Sequence, residues 1–208
     1  MKGVISWTER LIESCWLIAI VAVPIYFNIT TNRVFEPDKT LLLRAISICL
    51  LTLWIVRVLA EWTSQRRISK RTSARFEWDA SRPSTVVLVI VGIVVISTLP
   101  STVFSYSPGR TILGSYHRGQ GLLTHASYLF LFASMALLLR RRTQIERVIT
   151  AMIVSSVPIA IYGILQHYGT DPVPWAGKTI IRVASTMGNP IFVSAFMILA
   201  IPATLYKF

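Results

Sequence analysis

Residues 84–103 read STVVLVIVGIVVISTLPSTV, twenty positions without a formal charge. A helix needs about 20 apolar residues to cross the hydrocarbon of a bilayer. The run does not alternate polar with apolar residues as a half-buried strand does. Backbone in lipid must satisfy its own hydrogen bonds, so a helix is the expected form. Working outward from it, runs of the same kind occupy 11–29, 40–60, 122–139, 145–165 and 188–206. The expected fold is all-α, a polytopic transmembrane helical bundle of six spans, read as a single membrane domain over 1–208.

Composition agrees. The chain is 53% hydrophobic and 14% charged, with mean hydropathy +0.60, whereas soluble domains carry about a quarter charged residues. The first run lacks a small-x-small cleavage site and ends on Tyr26 and Phe27, which reads as an uncleaved signal anchor. Cys15 and Cys49 are the only cysteines. Both fall inside expected spans, where they read as buried apolar side chains rather than a disulfide or a metal site.

The net charge of +12 would suggest nucleic acid in a soluble protein, but here its distribution sets orientation. With the N-terminus inside, fourteen of the 21 Lys and Arg fall on inner segments, chiefly the 61–83 loop and Arg140–Arg142. Six fall outside, namely Arg33, Lys39, Arg110, Arg118, Lys178 and Arg182, and Arg44 lies within a span. The expectation is therefore N-in and C-in. The inner loop with Arg66, Arg67, Lys70 and Arg71 reads as a topology-setting segment against anionic headgroups. No base-stacking module surrounds it, so nucleic acid is not an expected partner.

The outer loops carry more than topology needs. The loop at 104–121 (FSYSPGRTILGSYHRGQG) and the loop at 166–187 (QHYGTDPVPWAGKTIIRVASTM) hold Arg110, His117, Arg118, His167, Lys178 and Arg182 among Tyr106, Tyr116, Tyr168 and Trp175. Arginine offers a planar fork to phosphate oxygens, and aromatic faces pack on sugars. The same residue types also anchor any membrane protein at the headgroup level, so composition leaves both readings open.

Asn189–Pro190 suits a helix start, with Pro in the first turn and Asn capping it. Free N–H groups there would face an anion. Arg44 reads as snorkelling outwards, or as pairing with a lipid phosphate, Glu36 or Asp38. Glu13 and Arg57 read as snorkelling from inner helix ends, and His125 as a packing histidine.

Several chemistries lack their motifs. There is no GxxxxGK[ST] loop, no HExxH, CxxC or Asp-x-Asp pair, and no GxSxG elbow. Neither a metal nor another cofactor is expected. The spans hold no row of acids of the kind a proton-coupled pump uses.

The stretches LGSYHRGQGLLTHASYLFLF at 113–132, YGILQHYGTDPVPW at 162–175 and RVASTMGNPIFVSAFMILAIP at 182–202 resemble the O-antigen ligase/polymerase family of bacterial membrane glycosyltransferases. FEPDKTLLLR at 35–44 is compatible with that family's second helix. The resemblance implies transfer or polymerisation of a polyprenyl pyrophosphate-linked glycan, without a metal, at the outer face of the bacterial cytoplasmic membrane. Carried onto matching positions, Arg118 and Arg182 become the pyrophosphate-side cations. Gly188, Asn189 and Pro190 shape the helix opening, and Tyr116 and His117 belong to the same substrate-binding group.

Members of the family carry more spans and a late outer loop with a histidine implicated in catalysis. Neither His117 nor His167 occupies that position, so the catalytic residue stays unassigned and the chain reads as the N-terminal part of a larger fold. The alternative is a non-catalytic membrane subunit. It would pack on partner membrane proteins through small residues such as Ser127, Ala133, Ser134 and Ala136. A flippase for lipid-linked sugars is the third reading.

Overall fold

The computed structural model describes residues 2–29, 35–68, 83–115, 118–171, 173 and 181–207. Among the described residues seven α-helices follow one another: α1 (Lys2–Ile25), α2 (Glu36–Ile68), α3 (Pro83–Val103), α4 (Pro108–Leu113), α5 (Leu122–Leu138), α6 (Arg142–His167) and α7 (Pro190–Lys207). A 3-10 turn, Ser185–Met187, precedes α7. No strand occurs among the described residues.

Each apolar run of the sequence corresponds to one helix. Among the described residues four segments are long and apolar enough to cross a membrane: Glu36–Thr63, Thr85–Val103, Arg142–His167 and Pro190–Lys207. Two of the six expected runs differ for identifiable reasons. Helix α5 is a shorter apolar helix of 17 residues. Helix α1 is long enough, but Glu9, Arg10 and Glu13 lie within its last eighteen residues, and it ends at Ile25 rather than at residue 29. The expected 104–121 loop contains α4, which Pro108 opens in its first turn. Gln166 and His167 belong to α6 rather than to the loop that follows.

The chain forms two compact units. The first comprises Met1–Trp16, Arg44–Ser115 and Gln120–Arg140, the second Leu17–Leu43, Tyr116–Gly119 and Arg141–Phe208. In the first, Ile12, Trp16 and Leu50 are fully buried, with Trp54, Phe130 and Met135 packed around them. Arg57 meets Glu9 at 3.3 Å, while Ile12 and Trp16, later in α1, cluster with Leu50, earlier in α2. Partners further along α1 lie further back along α2, so the two helices run in opposite directions here.

Helices α2 and α5 follow the opposite rule. Arg44 bonds Thr124, Ser47 bonds the Ser127 carbonyl and Trp54 bonds Ser134, and each pair is 80 residues apart. A constant difference means that the helices run parallel and in register. Small residues permit this approach. Ser134 is 1% exposed and Ser127 is also buried, so both serve packing inside this chain and are not offered to a partner.

Arg57 does not snorkel. Its side chain is 14% exposed, lies 3.0 Å from Glu61 and 3.3 Å from Glu9, and its guanidinium sits 5.5 Å from the Trp54 ring centroid. Glu13 is likewise buried. His125, expected as a packing histidine, is instead exposed on α5, with its Nδ1 3.0 Å from the Gly121 carbonyl. Both cysteines are free thiols, and neither is buried as expected: Cys15 is half-buried on α1 and Cys49 is exposed on α2.

In the second unit, the buried stripe of α6 is Ser155, Ile159, Gly163 and Gln166, spaced at helical repeats. The segment leading into α7 lies against it. A Cβ on Gly163 would stand 3.0 Å from Val183 Cγ1 and 3.7 Å from Ser185 Cβ, so a residue without a side chain leaves room for that segment.

Candidate functional site

The turn before α7 in the second unit is densely hydrogen-bonded. Ser185 is fully buried, and Thr186 is 4% exposed. Ser185 has φ +47°, an uncommon conformation for a residue with a side chain. Its hydroxyl donates to the Ile159 carbonyl at 2.6 Å, and its N–H donates to Gln166 Oε1 at 2.7 Å. These two bonds hold it there. Gln166 is 1% exposed, and its Nε2 has no hydrogen-bond partner among the described residues.

A second set of bonds ties the turn to α1 and α2. Lys39 Nζ donates to the Thr186 carbonyl at 2.8 Å and to the Pro24 carbonyl at 2.9 Å. The Thr186 hydroxyl also donates to the Pro24 carbonyl, at 2.9 Å. Pro24 lies in the last turn of α1, where carbonyls lack an intrahelical donor, so a cation and a hydroxyl satisfy it together. Lys39, expected as an outer-loop cation, is thus a structural brace.

Gly188 closes the turn at φ +73°, and a Cβ there would overlap the Phe35 ring at Cγ. Only glycine combines that conformation with that contact. Phe35 stacks on Phe27 at 6.1 Å, and Phe27 stacks on Tyr162 at 5.5 Å. The Tyr162 hydroxyl donates to Asp171 at 2.9 Å. Asn189 then caps α7: its Oδ1 accepts from the Ile191 N–H at 2.9 Å, with Pro190 at the first helical position.

Arg182 is exposed, three residues before Ser185. Arg118 is exposed in the turn whose Gly119 has φ +61° and would, with a Cβ, lie 2.6 Å from Thr40 Oγ1. Both arginines belong to the second unit, as does half-buried Asn189. Tyr116 and His117 lie outside the described residues, as do Trp175 and Lys178. Among the described residues, no three His, Cys, Asp or Glu side chains gather as metal ligands.

The first unit holds a separate charged feature. Arg44 neither snorkels outward nor stands apart from the fold. Its Nε and Nη2 donate to Thr124 Oγ1 at 3.0 and 2.8 Å, and Nη2 donates to the Leu113 carbonyl at 2.8 Å. It ties α2 to the end of α4 and the start of α5. Sequence reasoning missed this cluster, together with Gln166, Ser185 and Thr186. A buried threonine or serine in an apolar run is the only signal that could have marked them.

No protein-family model, no curated protein and no solved structure matches the chain.

Proposed function

We propose that the chain acts in the transfer or polymerisation of polyprenyl pyrophosphate-linked oligosaccharide at the outer face of a bacterial cytoplasmic membrane. Six crossings, N-in and C-in, belong to the proposal. The parallel pairing of α2 and α5 supports that alternation, because one crossing, α3, separates them. The observation that carries the functional reading is the pair of exposed arginines on one unit. Arg118 and Arg182 each adjoin a backbone held against a neighbour, Gly119 on Thr40 and Ser185 on α6.

Chemically, the acceptor hydroxyl attacks the anomeric carbon, so a new glycosidic C–O bond forms as the bond to pyrophosphate breaks, and the hydroxyl proton passes to solvent. The departing pyrophosphate gains charge, and pre-positioned guanidinium groups stabilise it. Gln166 and Ser185 act indirectly in this reading, by fixing the segment that carries Arg182.

The test is glycan transfer in membranes supplied with a polyprenyl pyrophosphate-linked donor. Arg118→Ala and Arg182→Ala should each abolish transfer at unchanged protein level, and lysine at either place should restore only part, because it lacks the planar fork. Normal transfer in both alanine variants would overturn the proposal.

A further inference from the structure

A groove of about 350 Å³ runs between α2 and α5 in the first unit. Ile48, Leu51, Leu123, Ala126 and Phe130 line it, and Arg44 stands at its head. On each helix these positions fall at spacings of three, four and seven, so two parallel faces form its walls. From Arg44 to Leu51 the walls extend about 10 Å along the axis, at 1.5 Å per residue. Ile48, Leu51 and Leu123 are exposed at the rim, so the groove opens sideways.

Two features limit what can fill it. The walls offer little polar surface below Arg44, so water gains few hydrogen bonds there, whereas a hydrocarbon chain gains close packing. At one end stands a guanidinium, always charged and shaped for phosphate oxygens. Its bonds to Thr124 and the Leu113 carbonyl fix it in place, and the latter bond lies at the exposed surface. An apolar slot with a fixed cation at its mouth suits an anionic amphiphile, here a phosphate headgroup carrying an acyl chain.

We infer that the α2–α5 groove is a binding site for one anionic phospholipid, its phosphate at Arg44 and an acyl chain along Ile48, Leu51 and Phe130. The lipid comes from the leaflet in which α2 begins. The site does not depend on glycan transfer, and none of its residues belongs to the Arg118 and Arg182 group.

The experiment is native mass spectrometry of the whole chain released from neutral detergent, with phosphatidylglycerol or phosphatidylcholine of equal chain length added. The wild type should retain one phosphatidylglycerol at least tenfold better than phosphatidylcholine. Arg44→Gln should lose that preference, and Arg44→Lys should keep most of it. Leu123→Trp, which fills the groove at an exposed rim without touching Arg44, should lose retention of both lipids while unfolding at the wild-type temperature. Equal retention of the two lipids by the wild type, or undiminished phosphatidylglycerol retention by Leu123→Trp, overturns the inference.

Discussion

The indole of Trp54 donates to the hydroxyl oxygen of Ser134 at 3.1 Å, and the same oxygen accepts the indole N–H of Trp16 at 2.9 Å. One hydroxyl thus joins three helices, α1, α2 and α5, each lone pair taken by a different tryptophan. Ser134→Ala leaves a fully buried Trp16 N–H and a partly buried Trp54 N–H without this acceptor. The expected cost is about 1–3 kcal/mol, from the desolvation of an unsatisfied donor. A lowered unfolding temperature in detergent is the readout, and an unchanged one would contradict the arrangement.

Gly188→Ala should destabilise for two separable reasons, a left-handed backbone and a ring contact with Phe35. The backbone part is about 1–2 kcal/mol. Adding Phe35→Ala should remove the contact part and leave the backbone part. Thermal unfolding of the single and double variants measures the difference, and additive losses would argue against the contact.

Lys39→Met removes the ammonium that bridges the Pro24 and Thr186 carbonyls. The Thr186 hydroxyl still reaches Pro24, so only the Thr186 carbonyl loses its partner outright. The predicted loss is about 1–3 kcal/mol. Protease cleavage between α6 and α7 should accelerate, since the brace holds the turn before α7.

Gly119→Ala tests the proposed function away from the arginine itself. A methyl group there meets Thr40 Oγ1 at 2.6 Å and displaces the turn bearing Arg118. Misplacing a binding group by about 1 Å can lower a rate about a hundredfold, so transfer should fall at least tenfold. Thr40→Ala in the same chain should restore part of it. Failure of that relief would point to the backbone at φ +61° rather than the contact.

Parallel α2 and α5 also make a topological prediction. Their N-terminal ends, with the C-terminal end of α3, belong on one side of the membrane, and the Arg140–Arg142 segment on the other. Ser107→Cys should react with an impermeant maleimide from outside intact cells, and Arg140→Cys should react only after permeabilisation. The reverse pattern would invert the orientation read from charge.

Much of the helix plan was legible in the chain itself. The runs at 40–60, 84–103 and 145–165 fall within α2, α3 and α6, because length and apolarity are local properties that a bilayer reads directly. Asn189 and Pro190 announced the start of α7, because caps act within one turn. The fit was poorer where a helix runs on through polar residues, as α1 does at Glu9, Arg10 and Glu13.

The sequence by itself determined that this protein is helical and rich in apolar segments fit to cross a membrane. The tertiary structure alone decided which faces meet. In lipid, the buried and outward sides of a helix are both apolar, so periodicity carries little information about which side is which. That Arg44 turns to Thr124, that Ser134 holds two indoles, and that Gly188 lies against Phe35 are contacts between residues 80, 118, 80 and 153 positions apart. Helix approach fixes such pairs, and the local chain does not.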